Sequence, residues 1–406
     1  MHQARAKQKK PQSRLIVLVA RLTLVWFVSI TLPAQQTRPQ AKQQMSDEVF
    51  KNVQVLKGIP VDDFLGAMGF MTAALGFDCA DCHIGAGTEK VDWAADTARK
   101  VMARKMILMM NSINHDNFPG RQMVTCWSCH RGRDRPLTTP SLAFVYGPVS
   151  DDMDDVLLPV PGQPSADQVI DKYLQAIGGA ERLARLRSYV ATGSSVGFGG
   201  FGGGGQVEIF AKFPDQRATI IEFPNDPGRG RSLRIYNGQE GWIETPLTVL
   251  GEYQLTGGEL DGARLDAQLS FPGQIKQVLS NFRVSLPTTI SDLPGPSSQT
   301  SEESSRGSGD RLVNVVQGSA PRGILATLYF DRESGLLVRL VRSARTPIGR
   351  VPTQVDFGDY RDVGGIKMPF RLMFAWLDGR DAIQLNQIET NVPVDPAKFG
   401  PPVSSK

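Results

Sequence analysis

The sequence predicts an α+β protein with two unlike parts: a mainly helical N-terminal part and an antiparallel β-rich C-terminal part with a few helices. Three observations lead to this expectation. Apolar residues recur with helical spacing in two segments between residues 61 and 113. Apolar and polar residues alternate in several short runs after residue 188. The Pro-rich stretch 136–164 stands between the two regions and is typical of an extended linker.

These patterns divide the 406 residues into consecutive parts, and the chain is long enough for two domains that each bury a core. We expect a signal at 1–34, a polar tether at 35–48, a helical domain at 49–140, a linker at 141–164 and a β-rich domain at 165–400. Within the last domain, residues 287–310 are Ser-rich and lack an apolar pattern, which predicts a disordered loop.

The first 34 residues contain six basic side chains, no acidic one, and an apolar run at 15–32 that Arg21 interrupts. This pattern, with the small residue Ala34 after it, is typical of an export signal. An uncleaved membrane anchor is the alternative, because the run approaches the length needed to span a bilayer. When those six are left out, 39 of the 45 Lys and Arg remain, against 41 Asp and Glu. The charge of the rest of the chain therefore indicates no nucleic-acid partner. We therefore expect a periplasmic protein, or one held at the outer face of the cytoplasmic membrane.

The helical part repeats one unit twice: a helix, a connector and Cys-x-x-Cys-His. An apolar stripe at i, i+4, i+7 and i+11 predicts each helix, formed first by Phe64, Met68, Met71 and Leu75 and then by Met102, Met106, Met109 and Ile113. We expect Asp62 or Asp63 to cap the first helix and the second to run over about residues 93–113.

The two Cys-x-x-Cys-His motifs use all four cysteines and two of the four histidines. This motif is the attachment signature of c-type haem, in which two thiols bind one porphyrin covalently and the histidine binds its iron. The sequence therefore predicts two haem c groups, attached through Cys79, Cys82, Cys126 and Cys129, with His83 and His130 as iron ligands. We expect an exported dihaem cytochrome that carries single electrons and is not an enzyme.

Zinc and disulfide bonds are the two other uses of paired cysteines. Zinc ribbons separate their pairs by about 15–20 residues, whereas 43 residues separate Cys82 from Cys126. Neither a four-cysteine zinc site nor a pair of disulfides needs a histidine directly after each motif. Haem accounts for all six residues.

An iron that only transfers electrons needs a second axial ligand, and methionines and His115 are the candidates. The two helices offer Met68, Met71, Met102, Met106, Met109 and Met110. Methionine stripes also serve as ordinary core packing. Met68 and Met106 hold the same place in the two stripes, which favours them modestly over Met71 and Met109.

Several segments of the helical part resemble the cytochrome c subunit of photosynthetic reaction centres: residues 49–56, 61–64 with Met68, 103–106, 113–114 and 124–132. In that family a helix methionine precedes the haem motif and binds the iron. The resemblance implies Met68 as the ligand of the haem on His83 and Met106 for the haem on His130. It also implies re-reduction of a photo-oxidised centre and a membrane complex or reaction centre as redox partner. The family carries four haems and often an N-terminal lipidated cysteine, whereas this chain has two haem motifs and no such cysteine.

The C-terminal part is loosely similar to the periplasmic lipoprotein carriers, in which a curved sheet over helices encloses an apolar cavity. We expect helices at 166–177 and 180–186, and strands at 206–213, 217–223, 311–317, 324–330, 336–342, 368–376 and 382–390. The resemblance implies a lipid as an additional ligand. Residues 197–202 satisfy G-x-G-x-x-G, but a strand pattern follows, which favours a hairpin loop over a dinucleotide site.

Two further functions stay open at the level of sequence. A dihaem peroxidase needs acid–base groups beside an open iron position, and His115 is the histidine available for that role. Alternatively, the β-rich domain binds lipid and the haem module senses the redox state.

Overall fold

The structure is a computed structural model that describes residues 43–88, 90–140, 142–145, 161–196, 204–225, 230–245, 250–291 and 311–402. The expected signal, most of the tether, much of the linker, the glycine-rich segment 197–202 and most of the Ser-rich loop lie outside these residues. From Gln43 onward the chain belongs to one compact unit.

The helices are named here in chain order: α1 Ser46–Val49, α2 Val61–Leu75, α3 Cys79–Cys82, α4 Ala98–Asn117, α5 Cys126–His130, α6 Leu142–Val145, α7 Ala166–Ala176, α8 Ala180–Arg185, α9 Gly257–Leu269 and α10 Ile275–Val278. The strands are β1 Ser188–Ser195, β2 Gln206–Lys212, β3 Gln216–Glu222, β4 Arg231–Tyr236, β5 Gly241–Glu244, β6 Glu252–Gln254, β7 Ser280–Val284, β8 Thr288–Ile290, β9 Arg311–Ser319, β10 Leu325–Asp331, β11 Leu337–Thr346, β12 Gly349–Val363, β13 Ile366–Trp376 and β14 Gly379–Thr390.

The described strands form one antiparallel sheet in the order β6-β5-β4-β3-β2-β1-β14-β13-β12-β11-β10-β9-β7, and β8 pairs with β9. The predicted α+β class, with helices first and an antiparallel sheet after them, is confirmed. The strand predicted at 368–376 falls within β13, whose side chains alternate between buried and exposed over most of its length. Helix α9 and the long strand β12 were not predicted.

The main core lies between the sheet and the helices α7, α9 and α10. Ile170 of α7, Leu265 of α9 and Ile275 of α10 are almost fully buried against strand residues such as Ile209 and Leu328. This burial removes the apolar faces of sheet and helices from water, which supplies the dominant favourable contribution to folding. One face of the sheet is therefore covered by helices.

Helix α2 packs on the end of the sheet at the start of β12. A Cβ atom on Gly349 would stand 2.1 Å from the ring of Phe70, so only glycine lets the ring lie this close to the strand. Val351 lies 3.5 Å from the position that a Cβ atom of Gly66 would take. Helix α2, which precedes the first Cys-x-x-Cys-His motif, and the sheet thus share one packed interface.

The ends of α2 and α4 differ in part from the expectations. Pro60 is the N-cap of α2 and no side chain caps it, so the predicted cap by Asp62 or Asp63 is wrong. The carboxylate of Asp62 instead accepts hydrogen bonds from Thr256. Helix α4 begins at Ala98 rather than near residue 93, because the Thr97 hydroxyl caps it by accepting a hydrogen bond from the Lys100 backbone N–H. It ends at Asn117 rather than at 113, so the predicted end is also wrong.

Candidate haem sites and the internal cavity

Each Cys-x-x-Cys-His motif forms a short helix with a complete capping box. Before α3 the side chains of Asp78 and Asp81 each accept a hydrogen bond from the other residue's backbone N–H. Thr125 and Ser128 do the same at α5. In a capping box two otherwise unpaired backbone N–H groups at the helix start are satisfied. Both cysteine pairs are therefore held on preformed helical turns.

The second motif is tied to the end of the first helix. The backbone N–H of Gly132 donates to the carbonyl oxygen of Ala74, 2.8 Å away. A Cβ atom on Gly76, the C-cap of α2 with φ +67°, would lie 2.5 Å from the carbonyl oxygen of Gly132. The segment after His130 thus touches the segment before Cys79, which brings the two motifs close together.

His130 has the arrangement of a metal-ligating histidine. Its Nδ1 lies 2.9 Å from the carbonyl oxygen of Arg133. Such a hydrogen bond fixes the ring orientation and the tautomer and leaves Nε2 available for a metal. The ring is partly buried at the end of α5. His130 therefore fits the role of an axial haem ligand.

His83 lies in a drier and more positive environment. Its Nδ1 is buried without a hydrogen-bond partner in the described residues, and its ring meets the edge of Trp93 at a centroid distance of 4.9 Å. Burial lowers the pKa of His83, and the charge of Lys100 lowers it further. The Lys100 ammonium donates to the carbonyl oxygens of Trp93 and Ala95 at 2.9 and 2.7 Å. A neutral imidazole with an unpartnered nitrogen is what an iron ion requires.

No disulfide bond joins any two of the four cysteines. Burial is the main reason that the pKa values of Cys79, Cys82 and Cys126 are raised, so these thiols are protonated at neutral pH. Within the described ranges no three His, Cys, Asp or Glu side chains are grouped as they would be around a metal ion. A tetrahedral zinc site needs four such ligands around one point, and the two motifs do not supply it.

The six candidate methionines all line one continuous cavity, as do the cysteines and histidines of both motifs. Met110 is 4% exposed and packs in the core with Phe70 and Ile107, whereas Met102 and Met109 are 54% and 47% exposed. Met68 and Met106 are intermediate in exposure. The assignment of Met68 and Met106 as ligands stays a prediction, because all six face the same space.

His115 is placed differently. Its side chain is 88% exposed on α4, and its Nδ1 lies 2.8 Å from the carboxylate of the adjacent Asp116. It does not line the cavity that contains the haem motifs. An acid–base role beside an iron would need it there.

The cavity has a volume of about 2220 Å³ and extends from the haem motifs under the sheet. Pockets for single small ligands are about 300–1,000 Å³, so this space can hold more than one large group. The residues of both motifs therefore fit haem c by their donor set, by the unpartnered nitrogen of His83 and by the space between them.

The comparisons with known proteins concern mainly the N-terminal part. Residues 24–142 match the model of the family described as the photosynthetic reaction centre cytochrome c subunit. This part of the chain is similar to those cytochromes. The subunit from Roseobacter denitrificans is 32% identical over 105 residues, which are 24% of this chain and 28% of that protein. The subunit from Thermochromatium tepidum is 34% identical over 124 residues, 29% of this chain and 27% of that protein.

The chain thus spans little more than a quarter of the length of these cytochrome subunits. The predicted resemblance to the reaction centre cytochrome family is confirmed for the part of the chain that contains the two Cys-x-x-Cys-His motifs.

Two solved structures are similar over the larger part of the chain. A LolA superfamily protein from Nitrosomonas europaea has a TM-score of 0.36 and 10% identity, covering 59% of this chain and 98% of that one. A DUF1329 family protein from Desulfovibrio piger has a TM-score of 0.36 and 11% identity, with the same coverage. Among the described residues no helix is both long and apolar enough to cross a bilayer.

The sequence analysis missed two ion pairs in the cavity wall under the sheet, formed by Arg234, Glu259, Asp266 and Arg342. Arg234 pairs with Glu259 at 3.1 Å and Arg342 with Asp266 at 2.7 Å. Glu259 and Asp266 stand seven residues apart on α9, and this helical spacing was the available signal.

Proposed function

We propose that this protein is an exported dihaem c-type cytochrome that carries single electrons. The observation that carries the proposal is the pair of capped Cys-x-x-Cys-His helices, joined through Gly132 and Ala74 and facing one cavity with a row of methionines. When bound, haem c supplies the one-electron chemistry of its iron.

The residues of this chain hold and orient the cofactors in the proposed arrangement. Cys79 and Cys82 attach one porphyrin and Cys126 and Cys129 the other. His83 and His130, together with Met68 and Met106, would supply the ligands of the two irons. A methionine opposite histidine raises the reduction potential relative to a second imidazole, so we expect positive potentials.

The proposed partner is a membrane complex or another redox protein, with electrons passing through the paired motifs. The cytochromes that match residues 24–142 are named as photosynthetic reaction centre subunits, which supports a reaction centre as one such partner. The periplasm, or the outer face of the cytoplasmic membrane, is the proposed location on the basis of the basic and apolar N-terminal residues. A lipid in the β-rich part is supported only by the apolar cavity wall.

A peroxidase is less well supported than an electron carrier, because His115 lies outside the cavity and pairs with Asp116. Carbon monoxide binding distinguishes a peroxidase from an electron carrier, since carbon monoxide binds reduced iron only where an axial position is open.

The test is an anaerobic redox titration of the purified holoprotein, followed by addition of carbon monoxide. We expect uptake of two electrons per chain, low-spin spectra in both redox states and no rapid carbon monoxide binding. One electron per chain, or rapid binding by the wild-type protein, would contradict the proposal.

A further inference from the structure

The cavity continues from the haem motifs along the inner side of β12. Its inward-facing residues Val351, Thr353, Val355 and Phe357 all line the cavity. Val351 packs against Gly66 of α2. Six steps along a strand cover about 20 Å. The space therefore reaches from α2 deep under the sheet. This distance matches the length of an extended chain of several isoprene units.

The far end of this space is apolar. Its wall is formed by side chains of neighbouring strands, among them Leu328, Leu340, Met368, Leu372, Ile383 and Leu385. All six are less than 9% exposed. Such a surface favours an apolar tail, since each buried CH₂ group contributes about 0.8 kcal/mol.

One side of the cavity carries a row of charged pairs along α9. Arg234 donates to Glu259, and the guanidinium of Arg342 donates to both carboxylate oxygens of Asp266 at 3.0 and 2.7 Å. Gly262 makes room for Arg342, because a Cβ atom there would lie 2.4 Å from its Nη1. The row therefore presents N–H donors and carboxylate acceptors side by side.

Arg217 adds a donor to this row. Its Nη1 donates to the hydroxyls of Tyr189 and Ser270 at 2.9 and 2.7 Å, and it forms no ion pair with a carboxylate of the described residues. Beside Glu259, however, the carboxyls of Asp62 and Asp63 lie close enough to act on one another, and Arg234 is the guanidinium paired there. The negative charge of a fatty acid or a phospholipid would therefore be costly at this end of the row, in a poorly solvated space. A neutral head group that both accepts and donates hydrogen bonds fits the row better.

The haem end of the row is close to a proposed iron ligand. Asp62 of α2 binds Thr256, the residue directly before α9, and both Asp62 and Glu259 line the cavity. Six residues of helix separate Asp62 from Met68, which is about 9 Å along the axis. A redox-active head group beside Glu259 would therefore lie near the haem that Met68 faces.

From these observations we infer that the cavity binds a prenylated quinol, with its head beside Arg234 and Glu259 and its tail along β12, and that this quinol reduces the two haems. The inference rests on the proposed function. The quinol gives up two electrons, one to each ferric haem, and becomes the quinone. Its two hydroxyl protons pass to carboxylates of the cavity wall, Glu259 and Asp62, and from there to water. Two haems per chain match the two electrons of one quinol.

The first test measures binding without turnover. Oxidised holoprotein is incubated with decylubiquinone and passed through a desalting column, and the retained quinone is extracted and counted. We expect about one quinone per chain in the wild type. The Thr353→Trp variant, which fills the space, should retain less than a tenth of that amount. The matched control is Thr289→Trp at an exposed position of β8 and should retain it fully. Equal retention by all three proteins would overturn the inference, and so would retention of oleate in preference to the quinone.

The second test measures electron transfer anaerobically with decylubiquinol. One quinol should reduce both haems of the wild type, and Thr353→Trp should slow this reaction at least tenfold while ascorbate still reduces it normally. Glu259→Gln keeps the size of the side chain but removes the proton acceptor, so it should retain quinone and yet react about tenfold more slowly. Unchanged rates in both variants would overturn the inference alone. Failure of ascorbate to reduce any haem would instead overturn the proposed electron-transfer function.

Discussion

The carboxylate of Asp62 accepts two hydrogen bonds from Thr256, one from the backbone N–H and one from the hydroxyl, each 2.6 Å long. Asp62 is 4% exposed, and burial is the main reason that its pKa is raised. The two residues are 194 positions apart in the chain, and their contact joins α2 to α9. A buried carboxylate is costly unless it is hydrogen-bonded, so Thr256 stabilises the junction between the helical part and the sheet.

Replacing Thr256 by valine should weaken this junction. The Thr256→Val variant keeps the shape of the side chain but removes one of the two donors, so the free energy of unfolding should fall by about 1–3 kcal/mol. Urea unfolding followed by circular dichroism measures it. Thr289→Val, at an exposed position, is the control and should change stability by less than about 0.5 kcal/mol. Equal stabilities would show that the Asp62–Thr256 contact is energetically neutral.

Removal of Met68 should open one iron. In Met68→Ala one of the two haems should become five-coordinate or bind water, because alanine has no thioether to bind the iron. The reduced variant should then bind carbon monoxide at one haem per chain, seen as a partial change of the Soret band. Met71→Ala, in the same helix and the same cavity, is the control. If Met71→Ala binds carbon monoxide and Met68→Ala does not, the ligand assignment is wrong.

Lys100 should raise the potential of the haem on His83, because a nearby positive charge favours the ferrous over the ferric state. Lys100→Met should lower one of the two midpoint potentials by about 30–60 mV, the size expected of one partly screened charge. A spectroelectrochemical titration resolves the two haems. Lys105→Met, at an exposed position of the same helix, should leave both potentials nearly unchanged, and Lys100→Arg should retain most of the wild-type value. Equal shifts from Lys100→Met and Lys105→Met would contradict a local effect.

Asp63 should make stability depend on pH. Burial raises the pKa of its carboxyl to about 6, and the charges of Asp62 and Glu259 contribute. The folded protein then holds this proton more tightly than the unfolded chain, so the stabilising contribution is complete below the ordinary pKa of 3.8 and is lost as the pH rises through 6. Asp63→Asn removes this dependence.

Relative to wild type, Asp63→Asn should therefore gain ~1 kcal/mol of stability between pH 4 and pH 7, a value reduced for solvent screening of a half-exposed group. Unfolding in urea at both pH values measures the difference. In Asp47→Asn the change of stability with pH should have the opposite sign, because a hydrogen bond from the Gly58 backbone N–H lowers the pKa of Asp47. The same trend in both variants would contradict the assignment to Asp63.

The sequence predicted the parts of the site that depend on local spacing. The two haem motifs, the helix that contains Met68 and the strand at 368–376 follow from short-range patterns with helical or alternating period. Each of these elements is present in the structure. Their prediction did not require knowledge of which residues meet across the fold.

Long-range contacts decided what the sequence could not predict. Asp62 lies at the start of α2, where a helix cap is expected, but its carboxylate accepts a hydrogen bond from the Thr256 hydroxyl. No local sequence pattern indicates this contact. Helix α9 begins with two glycines, and Glu259 and Asp266 on it interrupt the apolar stripe because they pair with Arg234 and Arg342 from strands. Tertiary partners override local propensity at these positions.

Covalent attachment of two haems is the claim on which the rest depends, and the intact mass of the purified protein tests it most directly. The protein is made in a host that attaches haem c and is measured after denaturation, together with a Cys126→Ala/Cys129→Ala variant. The account predicts that the wild type exceeds its polypeptide mass by two haem groups, that the variant exceeds it by one, and that both show a Soret band. A wild-type mass equal to that of the polypeptide alone, without Soret absorption, would contradict it.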